Sequence, residues 1–270
     1  MELFLKAILL GIVEGITEFL PISSTGHLII INQFIDFTGD FARLFDIVIQ
    51  LGAILAVIVY FFHELYPFGS QVSVERRRAI LTLWQKTIVG VIPAIGIGAV
   101  LGSKIKELLF NPTVVAIALF VGGVLLILIE RKRKEFTITS LNTLSYSMAV
   151  AIGCIQCLAM IPGTSRSAAT IIGAMLLGAT RSVAAEFSFF LAIPTMIAAS
   201  AYALLKGGLH LSLLQWEVLG TGSIVSFLVA WAVIALFMNY IRKHDFQVFG
   251  YYRIILAVVL AIYFTVKDSF

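Results

Sequence analysis

Two short polar stretches interrupt an otherwise apolar chain, and their residue types can do chemistry. The first, "EGITEFLPISSTGH" at 14–27, carries Glu14, Glu18, Ser23, Ser24, Thr25 and His27. Glu14 and Glu18 are four apart, so on a helix they share a face. That helix should end before Pro21, because proline disfavours helix for the residue in front of it. Ser23 or Ser24 then caps the next helix, and His27 falls in its first turn. Two carboxylates, hydroxyls and an imidazole gather at one junction. Such a set suits nucleophilic or acid–base chemistry, or the holding of a divalent cation.

The second stretch is "PGTSRSAAT" at 162–170. Pro162 and Gly163 predict a tight turn, and the small residues Gly163, Thr164, Ser165 and Ser167 leave backbone N–H groups open. Thr164 or Ser165 caps the helix that follows. A helix N-terminus favours anions through its unpaired N–H groups and its dipole. Arg166 sits in that first turn, and its planar fork matches phosphate oxygens. Thr170, four residues on, shares its face. A purely structural Arg166 would need a buried acid partner, and Glu14 or Glu18 could serve. Together the stretches point to phosphoryl transfer or hydrolysis on a membrane substrate.

The elements that must position these groups are membrane helices. Of 270 residues, 60% are hydrophobic and 13% charged, against about 25% charged in soluble domains. The runs 112–129, 187–205 and 218–241 hold no charge, and about 18 such residues suffice for a span. A β-barrel would alternate over short segments instead. Lys6 is followed by a short apolar run that ends at Glu14 with no small-residue cleavage site, so the first segment is expected to stay in the mature protein. Cys154 and Cys157 have no accompanying His or Cys, which favours packing over a redox or metal pair. The net charge of +4 is modest, and nothing calls for a nucleic-acid partner.

The chain also resembles itself. Pro21 lies over Pro162, Ser24 over Ser165 and Glu14 over Gln156. Further on, Ala42, Phe45 and Ala56 lie over Ala184, Phe187 and Ala198. The predicted segments are 2–20, 24–37, 43–65, 80–103 and 111–130, then 143–160, 165–178, 182–206, 215–241 and 249–267. In each half the second segment is about 14 residues, roughly 20 Å of helix, too short for a hydrocarbon core of about 30 Å. A re-entrant hairpin fits better, its irregular turn lining a cavity. Each repeat, 1–135 and 136–270, then holds one hairpin (2–37 or 143–178) and three spans. Three crossings are odd, so the repeats are inverted and their hairpins meet near the midplane. The expected fold is an all-α polytopic membrane protein of two inverted-topology repeats. Arg76 to Arg78, Arg131 to Lys134, Arg181, Arg242 and Lys243 fall on one side. Lys6, Arg43, Lys104, Lys106, Lys206 and Lys267 fall on the other. The denser side is expected in the cytoplasm and both termini outside.

At the two polar stretches the chain resembles the undecaprenyl-diphosphate phosphatase family of bacitracin-resistance membrane proteins. "EGITEFLPISSTGH" resembles its first motif, and "PGTSRSAAT" matches its second, PGxSRSxxT. "FDIVIQLGAILAV" and "AAEFSFFLAIP" also look typical, so the resemblance covers essentially the whole chain. It implies hydrolysis of the C55 isoprenoid diphosphate to the monophosphate, which regenerates a carrier for wall polymers. It also implies a bacterial plasma-membrane location, an outward-facing site, bacitracin resistance and a divalent cation, Mg²⁺ or Ca²⁺. On this resemblance Arg166 and the backbone of Thr164 to Ser167 grip the diphosphate, with Gly163, Thr170, Ser23 and Thr25 nearby. Glu14 and Glu18 hold the cation, or one acts as base. Ser24 is the chosen nucleophile, activated by His27 or Glu18. Attack by His27 itself or by a metal-activated water stays open. The partners are a polyprenyl diphosphate lipid and membrane lipids, and a homodimer is admitted. Type 2 phosphatidic-acid phosphatases also join a "GH" loop to an "SR" motif but pair a second histidine with an aspartate. His63 and His210 lack one downstream, and His244 meets Asp245 at a helix end. Inverted repeats with broken helices also suit a lipid-phosphate flippase using the same anion site.

Overall fold

The computed structural model describes residues 1–69, 72–132, 136–207 and 210–267. Arg133 and Lys134, part of the expected cytoplasmic cluster, lie outside the described residues. The fold is all helical. It begins with α1 (Glu2–Thr17), α2 (Ser24–Phe34), α3 (Asp40–Val48), α4 (Gln50–Tyr60) and α5 (Phe62–Leu65), followed by α6 (Val74–Leu109) and α7 (Pro112–Arg131). It continues with α8 (Tyr146–Gln156), a 3₁₀ turn (Cys157–Met160), α9 (Arg166–Leu176), α10 (Arg181–Gly207), α11 (Leu213–Ile241) and α12 (Gln247–Lys267).

Six stretches among the described residues are long and apolar enough to cross a membrane. They are Asp40–Tyr60, Val74–Gly102, Pro112–Arg131, Arg181–Lys206, Leu213–Ile241 and Gln247–Thr265. These correspond to the six expected spans. α2 and α9 have 11 residues each, shorter than any of them. Several boundaries differ from the sequence expectation, among them those of three segments. α1 ends at Thr17 rather than near 20, with Glu18 as its C-cap donating its N–H to Glu14 O. The segment expected at 43–65 starts at Asp40 and is interrupted at Ile49, where Gly52 N–H bonds to Ile49 O at 3.0 Å and tightens the turn. The segment expected at 80–103 runs from Val74 to Leu109. Its charged ends are helical as well, which an apolar run does not reveal.

Small residues let backbones approach where α1 packs on α11 and α8 packs on α6. A Cβ on Gly15 would stand 2.8 Å from Ser226 O, and one on Gly153 only 1.9 Å from Gly90 O. α7 lies along α12, and α10 contacts α9, α4 and α6. An aromatic core of Phe19, Phe61, Phe189, Phe190, Phe237 and Phe246 fills the centre, with the Phe19 and Phe189 rings edge-on at 5.2 Å. Phe19 follows Glu18 directly, so this core is the floor under the polar residues. Elsewhere, buried Glu130 of α7 accepts from Arg181 Nη2 at 2.6 Å and from Phe246 N–H at 2.9 Å. It thereby ties α7 to the starts of α10 and α12.

The contact of α8 with α6 gives a direct test. Gly153→Ala should force the helices apart and cost about 1–3 kcal/mol, as overpacking generally does. The readout is a lower midpoint of thermal unfolding in detergent. An unchanged midpoint would show that Gly153 does not meet the Gly90 carbonyl.

Candidate active site

The two polar stretches fold into the same local device. In the first, Ser23 is the N-cap of α2, with φ +75° and its Oγ accepting from Gly26 N–H at 3.3 Å. In the second, Ser165 caps α9, with φ +70° and its Oγ accepting from Ala168 N–H at 3.2 Å. A non-glycine residue at positive φ costs on the order of 1–3 kcal/mol and persists where surroundings hold it. The structural match therefore pairs Ser23 with Ser165. The letter match placed Ser24 over Ser165 and is corrected by one residue. Ser24 and Arg166 occupy the same position, the first residue of a helix, in the two devices.

These two residues meet through Glu18. Ser24 Oγ donates to Glu18 Oε2 at 2.5 Å, and Arg166 Nη2 donates to Glu18 Oε1 at 3.0 Å. Arg166 Nη1 donates to Ser188 O on α10 at 2.9 Å, and its guanidinium lies 5.8 Å from the Phe19 ring centroid. Arg166 Nε is buried without a partner. Glu18, Ser23, Ser24, Thr25, Gly163, Ser165 and Arg166 line a cavity of about 310 Å³. Its remaining wall is partly polar, from Gln50, Gln156 and Thr195, and partly apolar, from residues such as Ala94, Phe110, Met160, Met196 and Ala199. An anionic head with a hydrophobic tail matches that division.

Other expected site residues are set back from the cavity. Ser167 Oγ donates to Leu20 O at 2.8 Å and so ties one turn to the other. Thr170 Oγ1 donates to Arg166 O at 2.9 Å and lies 2.6 Å from Ser188 Oγ. Thr164 N–H bonds to Ile161 O. Direct contact of the Ser167 and Thr170 hydroxyls with a ligand is therefore not what the geometry offers: both are buried and bonded to protein groups. His27 is also turned away. Its Nδ1 lies 2.7 Å from Ser23 O and its Nε2 2.6 Å from Tyr252 OH. A carbonyl only accepts, so Nδ1 carries the hydrogen. Nε2 pairs with the Tyr252 hydroxyl, whose ring lies parallel to the imidazole.

Glu14 is fully buried; neither carboxyl oxygen meets an N–H or hydroxyl donor, and its polar neighbour is the Glu18 carboxyl itself. Glu18, Asp46 and Arg166 are its charged neighbours. Gln156 Oε1 is likewise buried and unpartnered. Among the described residues no group of three or more His, Cys, Asp or Glu side chains could hold a metal by itself. The unpartnered Glu14 oxygens beside Glu18 nevertheless fit a hard cation, since Mg²⁺ commonly takes one or two carboxylates plus substrate phosphates. Asp46 accepts from Asn32 at 2.6 Å. Half-buried Glu186 neighbours Glu64 and Arg242, and none of the three lines the cavity.

Ser188, Tyr252 and Arg253 went unnoticed in the sequence. Fully buried Arg253 donates to Pro21 O at 3.2 Å, Gly163 O at 3.1 Å and Thr164 O at 3.0 Å. An ionisable residue inside the apolar segment "YYRIILAVVL" was the available signal. A serine between phenylalanines offers no comparable one.

A family model described as bacitracin resistance protein BacA matches residues 7–259, which include both turns and Arg253. The chain belongs to this family. Among BacA-like relatives, "Undecaprenyl-diphosphatase 1" of Clostridioides difficile (strain 630) is 52% identical over 266 residues, covering 98% of this chain and 97% of that protein. The undecaprenyl-diphosphatase of Limosilactobacillus fermentum is 52% identical over 267 residues, with 96% and 97% covered. That of Lactiplantibacillus plantarum is 49% identical over 267 residues, with 96% and 97% covered.

In this BacA-family chain Gly163 has φ +89°, and a Cβ there would stand 2.5 Å from Val115 O. Gly163→Ala is thus expected to destabilise by about 2 kcal/mol or more, from backbone conformation and clash together. Thermal unfolding of the purified variant checks it. A midpoint matching the parent would remove the close approach of the second turn to α7.

Proposed function

We propose that this protein is an integral membrane undecaprenyl-diphosphatase. It hydrolyses undecaprenyl diphosphate to undecaprenyl phosphate and phosphate. It thereby recycles the lipid carrier for wall synthesis and confers bacitracin resistance by competing for the lipid the antibiotic sequesters. The observation that carries this reading is the Ser24–Glu18–Arg166 chain on the cavity wall, at 2.5 and 3.0 Å. It occurs in a chain about half identical to proteins named for that activity.

The chemistry follows from which groups are free. Arg166 and the N-terminus of α9 receive the terminal phosphoryl oxygens, using the unpartnered Nε–H and the first-turn amides that Ser165 does not take. Ser24 Oγ attacks the terminal phosphorus while Glu18 Oε2 takes its proton. The bridging P–O bond breaks, and undecaprenyl phosphate leaves with the electron pair and takes the proton from Glu18. Glu18 then takes a proton from the water that attacks phosphorus, the Ser24 Oγ–P bond breaks, and Glu18 returns that proton to Oγ as phosphate leaves. His27 acts as a positioning group, because both ring nitrogens are engaged away from the cavity. A Mg²⁺ or Ca²⁺ ion held by Glu14 and Glu18 would neutralise phosphate charge when bound.

The same reading includes the topology. The repeats are inverted, with boundaries at 1–135 and 136–270, and the hairpins enter from opposite faces. Two packing relations support this: α1 of the first half packs on α11 of the second, and α8 of the second packs on α6 of the first. Those are equivalent pairs exchanged between halves. The basic residues at the start of α6, the end of α7 and the start of α10 belong to the cytoplasmic side of a bacterial plasma membrane. The cavity opens outward, on the side of both termini.

Three measurements test the proposal. Labelled substrate, quenched during turnover, should leave a phosphoenzyme that is stable in acid and labile in base. An acid-labile, base-stable adduct would move the attack to His27. Ser24→Ala should lower kcat by on the order of 10³-fold or more, as loss of a nucleophile does. His27→Asn should retain a measurable rate, and equal losses at the two positions would contradict the division of roles. Phosphate release from farnesyl diphosphate should stop with chelator and return on adding Mg²⁺ or Ca²⁺. Full activity in chelator would dismiss the cation.

A further inference from the structure

Arg253 is among the largest fully buried side chains of the molecule, and it forms no ion pair among the described residues. Its charge is met by carbonyl oxygens alone. Nε donates to Leu119 O at 3.3 Å and Nη1 to Pro21 O at 3.2 Å. Nη2 donates to Ala118 O at 3.1 Å, Gly163 O at 3.1 Å and Thr164 O at 3.0 Å. Two of these carbonyls belong to α7, one to the first polar turn and two to the second. A guanidinium presents five N–H groups in a fixed plane, so it can hold acceptors from three directions, which an ammonium at one point cannot.

The grip has a consequence for the cavity. All peptides here are trans, so each N–H points opposite to the C=O of its own peptide unit. Drawing the Gly163 carbonyl to Arg253 sends Thr164 N–H the other way, where it closes the turn on Ile161 O at 3.2 Å. Drawing the Pro21 carbonyl in the same fashion sends Ile22 N–H to Leu20 O at 2.7 Å. Drawing in the Thr164 carbonyl leaves Ser165 N–H on the far side, and Ser165 lines the cavity. Positive φ at Gly163 and at Ser165 makes this turn tight, so the Gly163 and Thr164 carbonyls can both face Arg253 while Ser165 faces the cavity.

We infer that Arg253 is the positioning residue of the diphosphate site: by gripping the carbonyls of Pro21, Gly163 and Thr164 at once, it locks the two turns together and aims the Ser165 N–H at the phosphate. It rests on the assignment of the cavity as the diphosphate site. Arg253 itself touches no substrate. α12 contributes twice to this support, since neighbouring Tyr252 holds His27, which in turn holds the carbonyl of the cap residue Ser23.

The test compares Arg253→Lys, Arg253→Met and Gly122→Ala with the parent protein in detergent. Gly122→Ala perturbs the grip without removing the charge: its Cβ would stand 2.2 Å from Arg253 Nη2, so the guanidinium must move. Alanine suits a helix interior, so this variant keeps the test available if the Arg253 variants do not fold. Two readouts are taken. Amide hydrogen exchange without substrate should speed up by about tenfold or more in segments 19–25 and 161–168 together, leaving the other helices as protected as before. With farnesyl diphosphate, kcat/KM should fall by on the order of 10²-fold, chiefly in kcat, the usual result of displacing a site by about an ångström. Lysine should not rescue. The inference is overturned if both turns stay protected, if only one loosens, or if the whole chain loosens alike. Loosened turns with parental activity would uphold the grip and instead remove the cavity from the reaction.

Discussion

A carboxylate from the first quarter of the chain and a guanidinium from the second half meet at 3.0 Å, with 7% and 12% of their side chains exposed. Taking both charges out of water is costly, and removing one strands the other, at about 3–5 kcal/mol. Glu18 and Arg166 can therefore be buried only together, which requires both turns to arrive at one place. The surrounding contacts serve that meeting. Ser167 donates to Leu20 O, Arg166 leans on Phe19 and donates to Ser188 O, and Arg253 holds the backbone of both turns. Separating the turns would break the ion pair, the Ser167–Leu20 bond and the Arg253 grip at once.

The pair also leaves room for a ligand. Arg166 has an unpartnered Nε, and Glu14 has two unpartnered oxygens behind Glu18. A buried polar group without a partner costs about 1–3 kcal/mol. That cost is recovered if a phosphate oxygen reaches the Arg166 Nε and a cation reaches the carboxylates. In the proposed reaction, ligand binding thus completes a network that the protein alone leaves short. The unmet groups are a donor on one side and acceptors on the other, as a phosphate with its cation requires.

Much of this was legible in the letters, and the reasons divide cleanly. Apolar runs gave the six spans because membrane helices must be long and uncharged. Glu18, Ser24 and Arg166 stood out because reactive groups are expensive in such surroundings. Spacing could not say which hydroxyls face the cavity. The Thr170 hydroxyl was expected to face the ligand, yet it turns inward to protein groups, as does the hydroxyl of Ser167, whose backbone was the part assigned to the grip. His27 was expected beside Ser24, and instead spans Ser23 O and Tyr252 OH. In each case the deciding contact comes from a residue distant in sequence or from a backbone carbonyl, and neither leaves a pattern in the letters. Arg253 did leave one, as a charge in an apolar helix. Its partners are carbonyls, so no acid elsewhere in the chain pointed back to it.

The shared register of the two turns shows how similar backbones acquire different chemistry. Each has a serine cap at positive φ accepting the N–H three residues on, and each then opens a helix. The first helical residue is Ser24 in one and Arg166 in the other. A side chain at that position leaves the helix where its amide donors are unpaired, so both helices aim their positive ends and that side chain into one cavity. Had both carried serine, nothing in the second turn would hold a diphosphate against a nucleophile. Had both carried arginine, two guanidinium groups would compete for Glu18, and no hydroxyl would remain to donate to it. The proposed division of labour needs the turns alike in backbone and unlike at this one residue. It also needs the two backbones in fixed relation, and the only side chain among those described here that bonds carbonyls of both turns is Arg253.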